Sequence, residues 1–178
     1  MELEDKDIVE TIRSDLQSGF KLLMQKYKEP VYWYIRRLVT FHEDAQDATQ
    51  ETFLRVFRSF NQYRGNSSFK AWIYKIATNE ALRLLSNRKK EEASLEDTAD
   101  TLCYVKADTY INYSSTEMKF QRAIQSLPEK QQITFQLRYY NELDYEEIAK
   151  VTDTNSSAAK ANYHIAKNKI IQFMNSND

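Results

Sequence analysis

The stretch DYEEIAKVTDTNSSAAKANYHIAKNKIIQFM, residues 144–174, has the pattern of a short helix, a tight turn and a longer helix. Asp144 is suited to cap the first helix, and Glu147, three residues later, completes a capping box. The turn-forming segment 152–155, TDTN, precedes a longer helical period over 156–174. This arrangement predicts a helix-turn-helix, whose second helix lies in the major groove of DNA. An ordinary antiparallel helix pair shows the same pattern, so this stretch alone leaves both interpretations open.

The composition of the whole chain favours helices throughout. Its 178 residues include only two Gly and two Pro, so few sharp turns and long helices are expected. We therefore predict an all-α fold. The acidic start, MELEDKDIVE, is unlike a secretion signal, and no apolar run approaches the ~20 residues that a membrane span needs. With one cysteine, Cys103, no disulfide framework exists, and we expect a cytoplasmic protein without membrane insertion.

Charge and periodicity divide the chain into three parts. Residues 1–90 carry 16 basic and 12 acidic side chains, whereas residues 91–117 carry one basic and seven acidic side chains. The acidic part also loses the helical period and is rich in Ser, Thr and Asp. We predict two small helical domains, 1–90 and 117–178, joined by an acidic flexible linker over residues 91–116; the helix-turn-helix belongs to the second domain.

A helix is predicted over residues 42–60, where apolar side chains recur at helical spacing. Asp44 is suited to be its N-cap, and Phe57 is expected on its buried face. The outer face carries the acidic and amide side chains Asp47, Gln50 and Glu51. No histidine accompanies them at the spacing of a metal site. A docking surface for a protein partner is therefore a better interpretation than metal binding or acid–base catalysis.

A basic stretch that also carries aromatic rings overlaps this helix and continues beyond it. Residues 52–90 contain nine basic side chains and a single acidic one. The segment 61–68, NQYRGNSS, breaks the helical period and predicts a loop, after which Ser67 or Ser68 caps a helix over 69–89. Steps of four residues along that helix give a polar stripe of Lys75, Asn79 and Arg83.

Such a stretch fits a surface that meets nucleic acid as it opens. A basic stripe suits a phosphate backbone, and polar side chains can bond the edge of a base that has left the stack. An aromatic ring such as Tyr63 can stack on an unpaired base. The plainer interpretation is a solvated basic face over an aromatic core, and for Tyr63 both interpretations remain open.

The sequence offers no catalytic or metal-binding constellation. The two histidines, His42 and His164, lie in different predicted domains, and Cys103 lies in the predicted linker. They form no nucleophile–base pair and no Cys/His cluster, and the chain has no glycine-rich phosphate loop. We therefore predict a protein that is not an enzyme and holds neither a metal nor a cofactor.

Two long parts of the chain resemble a known bacterial family. DAQDATQETFLRVFRSFNQYRGNSSFKAWIYKIATNEA (44–81) is similar to the second region of sigma factors of the extracytoplasmic-function (ECF) group. LPEKQQITFQLRYYNELDYEEIAKV (127–151), followed by AAKANYHIAKNKI (158–170), is similar to their fourth region. The resemblance covers nearly the whole chain, with both parts in the family's order.

The resemblance implies a protein that binds core RNA polymerase, directs it to promoter DNA and helps to melt the minus-ten element. The residues implied to dock on the clamp helices of the polymerase are Asp47, Gln50, Glu51 and Arg55. Those implied to hold a flipped minus-ten base or to face the DNA backbone are Tyr63, Arg64, Ser67, Ser68, Lys75, Asn79 and Arg83. Those implied to read the minus-thirty-five element are Ser156, Ser157, Lys160, Asn162, His164 and Lys167. The acidic linker would thread through the polymerase cleft, a basic channel.

The recognition helix departs from the family's common pattern. Where that pattern resembles GTVKSRLHRAR, this chain has SAAKANYHIAK (157–167), so Asn162 and Ile165 stand at two positions usually held by Arg. Bidentate Arg is the commonest specific reader of guanine, worth about 1–3 kcal/mol of discrimination per pair. Asp153 replaces the turn glycine, which tolerates the left-handed conformation better. Our hypothesis is weak or atypical minus-thirty-five recognition, either with different base preferences or with an auxiliary recruiting protein.

Other partners and functions stay open on the sequence. An anti-sigma factor is a common partner in the family. A plain helix-turn-helix regulator that acts without polymerase would be a dimer on a palindromic site, but it leaves residues 1–90 unexplained. A helical adaptor that binds no DNA would tolerate removal of the charges at Lys75, Arg83 and Lys160.

Overall fold

The computed structural model describes residues 3–94 and 114–176, which form eight α-helices, one short 3-10 helix and no strand. Packing contacts divide the chain into two compact units, Met1–Thr98 and Ala99–Asp178. The first unit contains α1 (Asp5–Ser14), α2 (Leu16–Leu38), α3 (His42–Ser59), a 3-10 helix (Phe60–Gln62) and α4 (Phe69–Ser94). The second contains α5 (Ser115–Gln125), α6 (Glu129–Tyr139), α7 (Tyr145–Thr152) and α8 (Ser156–Asn175). The predicted all-α fold of two small helical domains is confirmed.

The predicted linker over 91–116 lies largely outside the described residues. Its first residues are helical, since α4 continues to Ser94, and α5 begins at Ser115. The flexibility of the linker and the exact domain boundaries therefore stay predictions. None of the helices in the described ranges combines the length and the apolar character that a membrane span requires.

The first domain begins with α1 and α2, between which the chain changes direction sharply. Asp15 is extended, with φ −142° and ψ 101°, and its side chain accepts a hydrogen bond from the backbone N–H of Gln17, which caps α2. Hydrogen bonds from Ser18 hold the pKa of Asp15 below its ordinary value. The buried face of α1, formed by Ile8, Val9 and Ile12, then packs against α2.

Gly19 allows α1 and α2 to approach each other closely. A Cβ atom at this position would lie 2.4 Å from the backbone nitrogen of Ile12 and 2.5 Å from its Cα. Because the neighbouring atoms are backbone, they cannot swing away as the end of a flexible side chain would. The contact is supported nearby by Asp5, whose carboxylate accepts hydrogen bonds from Lys26 at 2.8 Å and from the Tyr27 hydroxyl at 2.7 Å.

The remaining core of the first domain joins α2 to α4. The buried Tyr34 hydroxyl bonds to the Thr78 hydroxyl at 2.6 Å, and the rings of Tyr34 and Tyr74 meet edge to face at 5.2 Å. This hydrogen bond satisfies two polar groups that would be costly to bury alone. On the sequence alone, Pro30 fits either the first turn of a new helix or a kink in a long one. It lies inside α2, so the first alternative is wrong.

Two expectations for α3 are also wrong. The helix begins at His42 with Phe41 at the N-cap position, so Asp44 lies within the first turn and does not cap it. Its carboxylate is buried and is bonded to Arg88 of α4 instead. Phe57 is 49% exposed and lies outside the buried core, where its ring contacts Phe20 of α2 at 4.9 Å.

The second domain has a separate core around α8. One cluster of buried residues in this core consists of Ala123, Ile124, Leu127, Phe135, Ala166 and Ile170. Phe135 of α6 stacks on Tyr163 of α8, with ring centroids 5.7 Å apart and an angle of 11° between the rings. This packing of α8 on α6 fixes which face of α8 is left for solvent.

We expect Gly19→Ala to lower the stability of the first domain by about 1–3 kcal/mol, because the added methyl group overpacks the contact with α1. Helix propensity alone predicts the opposite, a gain of roughly 0.5–1 kcal/mol. The only two tryptophans, Trp33 and Trp72, lie in the first domain, so urea unfolding followed by tryptophan fluorescence reports on that domain. Gln25→Ala, at an exposed position of the same helix, is the control and should change stability by less than about 0.5 kcal/mol. A stabilised Gly19→Ala protein would contradict the close approach.

Candidate nucleic-acid interface

The loop over residues 63–68 is fixed at both ends. The Tyr63 hydroxyl donates a hydrogen bond to the backbone carbonyl of Ser67 at 2.9 Å. The Ser68 hydroxyl accepts from the backbone N–H of Ala71 at 3.0 Å, so Ser68 caps α4. Between them Gly65 has φ +76°, a conformation that L side chains rarely adopt. The predicted serine cap is found, and the loop is shorter than the predicted 61–68, because Asn61 and Gln62 belong to the 3-10 helix.

Tyr63 belongs in part to an aromatic cluster. Its ring centroid lies 5.1 Å from that of Trp72, 5.3 Å from that of Phe69 and 6.5 Å from that of Phe60. Burial raises the pKa of Tyr63, with a smaller contribution from the charge of Asp5. Tyr63 therefore anchors the loop on α4, and only the exposed part of its partly buried side chain remains for a ligand.

The other predicted minus-ten residues lie in the same loop and along α4. In the loop, Arg64 is exposed, whereas Ser67 is half-buried and its carbonyl holds Tyr63. On α4, Asn79 and Arg83 are exposed and Lys75 is half-buried, and their spacing of four residues puts them in one row. The structure thus brings the loop to the start of the helix that carries the polar stripe.

Sequence reasoning missed the most buried charge of this surface, Glu80. Its side chain is 2% exposed and forms ion pairs with Arg55 of α3 and Arg83 of α4. Arg83 donates two hydrogen bonds to Glu80 Oε2, at 3.1 Å from Nε and 2.7 Å from Nη2, and these bonds raise the pKa of Arg83. The spacing of three residues between Glu80 and Arg83 was a visible signal. The link to Arg55 needs the packing of α3 on α4 and could not be read from the sequence.

A second acid–arginine pair joins the same two helices. Arg88 lies 2.6 Å from the carboxylate of Asp44 through both Nε and Nη2, and its guanidinium lies 4.8 Å from the centroid of the Phe41 ring. Hydrogen bonding to Asp44 raises the pKa of Arg88. At least two of the nine basic side chains of residues 52–90, Arg55 and Arg88, therefore join α3 to α4.

The outer face of α3 carries the predicted polymerase-binding residues. Asp47, Gln50 and Arg55 are exposed, and Glu51 is half-buried with its carboxylate 3.8 Å from Arg55 Nε. Leu54, which is 46% exposed, lies on the same helix and was missed, because an apolar residue between polar ones carries no separate signal. An exposed apolar side chain surrounded by polar and charged ones is compatible with the apolar core and polar rim of a protein interface.

In the second domain, local hydrogen bonds build the predicted helix-turn-helix. Asp144 and Glu147 form the capping box that begins α7: Glu147 N–H donates to the Asp144 carboxylate at 2.8 Å, and Asp144 N–H donates to Glu147 at 2.9 Å. α7 ends at Asp153, which adopts the left-handed conformation with φ 53° and ψ 46°. Asn155 then caps α8 by accepting from Ala158 N–H at 2.8 Å. A residue other than glycine therefore makes this left-handed turn.

The solvent face of α8 carries most of the predicted base-reading residues. Ser156, Ser157, Lys160, His164 and Lys167 are exposed, opposite the buried Ala159 and Ala166. Asn162 is half-buried, closer to the packed side of the helix. Ile165 is 45% exposed on the outer surface. The face contains two lysines, a histidine and two serines, but no arginine.

Family models match both domains. The model described as Sigma-70 region 2 matches residues 23–91, and the model described as Sigma-70, region 4 matches residues 117–170. The ECF RNA polymerase sigma-E factor of Escherichia coli K12 is 30% identical over 162 residues, which are 85% of this chain and 84% of that protein. The chain belongs to the ECF sigma factors. It therefore takes part in promoter-directed transcription initiation with RNA polymerase.

Further similarities agree with membership of the sigma factors. The RNA polymerase sigma-H factor of Pseudomonas aeruginosa is 30% identical over 158 residues, or 83% of this chain and 82% of that protein. The sigma factor RpoE of Bartonella quintana, solved with the anti-sigma factor NepR, has a TM-score of 0.70 at 19% identity, covering 89% of this chain and 98% of that one. CnrH, solved with the cytosolic domain of CnrY, has a TM-score of 0.74 at 16% identity, covering 98% and 99%. The two structures show that the fold is shared.

Metal chemistry has no candidate group in the part of the sigma factor that the structure describes. Within residues 3–94 and 114–176, no three His, Cys, Asp or Glu side chains come together in an arrangement that could hold an ion. The ion pairs of this region include Asp44–Arg88 and Glu80–Arg55 between α3 and α4, and Asp5–Lys26 between α1 and α2.

Proposed function

We propose that this sigma factor uses α3 to dock on core RNA polymerase and uses the 63–68 loop with α4 to hold the melted minus-ten element. The polymerase-facing residues are Asp47, Gln50, Glu51 and Arg55, and the DNA-facing residues are Tyr63, Arg64, Ser67, Ser68, Lys75, Asn79 and Arg83. The protein acts in the cytoplasm, without a catalytic activity or a cofactor of its own.

The observation that carries this proposal is the fixed loop, which leads directly into a helix with an exposed polar row. The Tyr63–Ser67 hydrogen bond and the Ser68 cap hold the loop against α4, whose exposed Asn79 and Arg83 follow on the same helix. A pre-formed loop loses little conformational entropy when it receives a flipped base. Asn79 supplies an amide for the base edge, and Arg83 and Lys75 supply positive charge for the backbone.

The second domain is proposed to read the minus-thirty-five element weakly or with an unusual preference. The N-terminal residues of α8 are those that face base edges in a helix-turn-helix. Here they are Ser156, Ser157, Lys160, Asn162, His164 and Lys167, of which Asn162 is half-buried. Without arginine this face lacks the commonest bidentate reader of guanine. A different base preference or an auxiliary recruiting protein would compensate.

An anti-sigma factor is a further proposed partner. Two proteins with the same fold, RpoE of Bartonella quintana and CnrH, were solved in complexes, the first with an anti-sigma factor and the second with the cytosolic domain of CnrY. In this chain each domain exposes large apolar side chains suited to a protein partner, Leu54 and Phe57 in the first and Ile165 and Ile171 in the second. The alternative function, a helix-turn-helix regulator without polymerase, does not account for the match to region 2.

We expect Asn79→Ala to weaken binding of the reconstituted holoenzyme to fork DNA with a single-stranded minus-ten element by about 5- to 20-fold, since a hydrogen bond to the base edge is lost. Binding of the sigma factor to core polymerase should not change. Gln25→Ala, which removes an exposed amide from α2, is the control and should affect neither measurement. Equal binding of fork DNA by wild type and Asn79→Ala would contradict the proposed minus-ten site.

Ile165→Arg restores an arginine at a position where the family usually has one. We expect it to strengthen holoenzyme binding to promoters with guanines in the minus-thirty-five element by about 10-fold, through one good bidentate pair. Ile171→Arg is the matched control, since Ile171 is 47% exposed against 45% for Ile165. It adds the same charge and should raise only sequence-independent, salt-sensitive binding.

A double variant, Lys160→Ala with Asn162→Ala, tests the weak minus-thirty-five recognition itself, and we expect it to change promoter choice little. Loss of a strong wild-type promoter preference in this variant would contradict weak recognition.

A further inference from the structure

The buried carboxylate of Glu80 is shared between two arginines that face different partners. Its Oε1 pairs with Arg55 Nε, and its Oε2 accepts from Arg83 Nε at 3.1 Å and from Arg83 Nη2 at 2.7 Å. Glu80 itself is 2% exposed, whereas the side chains of Arg55 and Arg83 are 51% and 54% exposed. One residue in the interior thus contacts one arginine on the proposed polymerase face and one on the proposed DNA face.

Both arginines are held through their inner nitrogen. Arg55 meets Glu80 through Nε, and Arg83 uses Nε with Nη2, so the bonds to Glu80 leave Nη1 of Arg83 and both terminal nitrogens of Arg55 for other acceptors. The half-exposed side chains therefore direct the remaining donors outward. A guanidinium held in this way is ready for a carboxylate or a phosphate, which it recognises by its fixed fork of donors.

Burial of the Glu80 carboxylate stabilises its ion pairs with Arg55 and Arg83. A carboxylate removed from water is costly unless it stays paired and hydrogen-bonded, so Glu80 holds its two partners strongly. Arginine on a free surface has large rotamer freedom, which must be given up when it binds. Because Glu80 already restricts both side chains, less freedom is lost when a ligand binds them.

We propose that Glu80 is a positioning residue that orients Arg55 toward an acidic group of core polymerase and Arg83 toward the phosphate backbone of promoter DNA. The inference rests on the function proposed above and deepens it, since it names one interior group that prepares both interfaces. Glu80 touches neither partner. Its effect on polymerase passes through Arg55 alone, and its effect on DNA passes through Arg83 alone.

The first test is Glu80→Gln, which keeps the size of the side chain and removes its charge. We expect this variant to bind core polymerase about 3- to 10-fold more weakly, and its holoenzyme to bind fork DNA more weakly by a similar factor, as expected for the loss of pre-organisation. Glu92→Gln removes an exposed acid from the same helix and is the charge-matched control. It should leave both affinities unchanged.

The decisive test repeats Glu80→Gln in arginine-deficient backgrounds. With Arg55→Ala, Glu80→Gln should weaken only DNA binding; with Arg83→Ala, it should weaken only binding to core. With both arginines replaced, it should have no further effect on either affinity. A purely structural role of Glu80 would give the same loss in every background, and that result would overturn the inference.

If Glu80→Gln fails to fold, as judged by tryptophan fluorescence, the lysine variant Arg83→Lys still tests the inference. Arg83→Lys retains the charge but lacks the fork that Glu80 holds, so it should lose most of the DNA affinity that Arg83→Ala loses. Wild-type DNA binding by Arg83→Lys would overturn the inference.

The alanine variants separate failure of this inference from failure of the proposed function. If Arg55→Ala and Arg83→Ala affect neither affinity, the proposed interfaces fail together with the inference. If they weaken binding but the effect of Glu80→Gln is independent of them, only the role of Glu80 fails.

Discussion

The first domain depends on the antiparallel pairing of α3 with α4, and two crossed acid–arginine pairs fix the register of that pairing. Near one end, Asp44 of α3 bonds Arg88 of α4; further along, Glu80 of α4 bonds Arg55 of α3. In both pairs the carboxylate is buried and the guanidinium reaches solvent. Since a buried carboxylate cannot be left without a partner at small cost, sliding one helix along the other by a turn would break both pairs.

The surfaces proposed to meet partners are built on this pair of helices. α3 presents its acidic and amide face, α4 presents its polar row, and the short segment between them is anchored by the Tyr63 hydroxyl and the Ser68 cap. Binding groups on rigid helices are positioned more accurately than groups on free loops. The second domain has its own core. There the capping box fixes the start of α7, and the left-handed Asp153 ends α7 and leads into α8.

The helices and the turn chemistry were largely predictable, because they depend on neighbours in sequence. Apolar spacing, the Ser68 cap, the Asp144–Glu147 capping box and the turn before α8 are all local signals. Contacts between helices were not predictable from one sequence. The residue type and position of Asp44 predict a cap, but its side chain pairs with Arg88. In the sequence Glu80 is a single acid in a basic stretch, and only the packing shows that it is buried and paired. Phe57 fits the apolar period of α3, although its side chain lies outside the core.

The most direct test of this chain as a sigma factor is transcription by purified core polymerase on fragmented genomic DNA, with mapping of the RNA 5′ ends. Discrete starts that require the protein and share an upstream minus-ten sequence are the predicted result. A variable minus-thirty-five sequence among those starts would agree with the arginine-free face of α8. Identical 5′ ends with and without the protein, or binding to palindromic duplexes without polymerase, would contradict it.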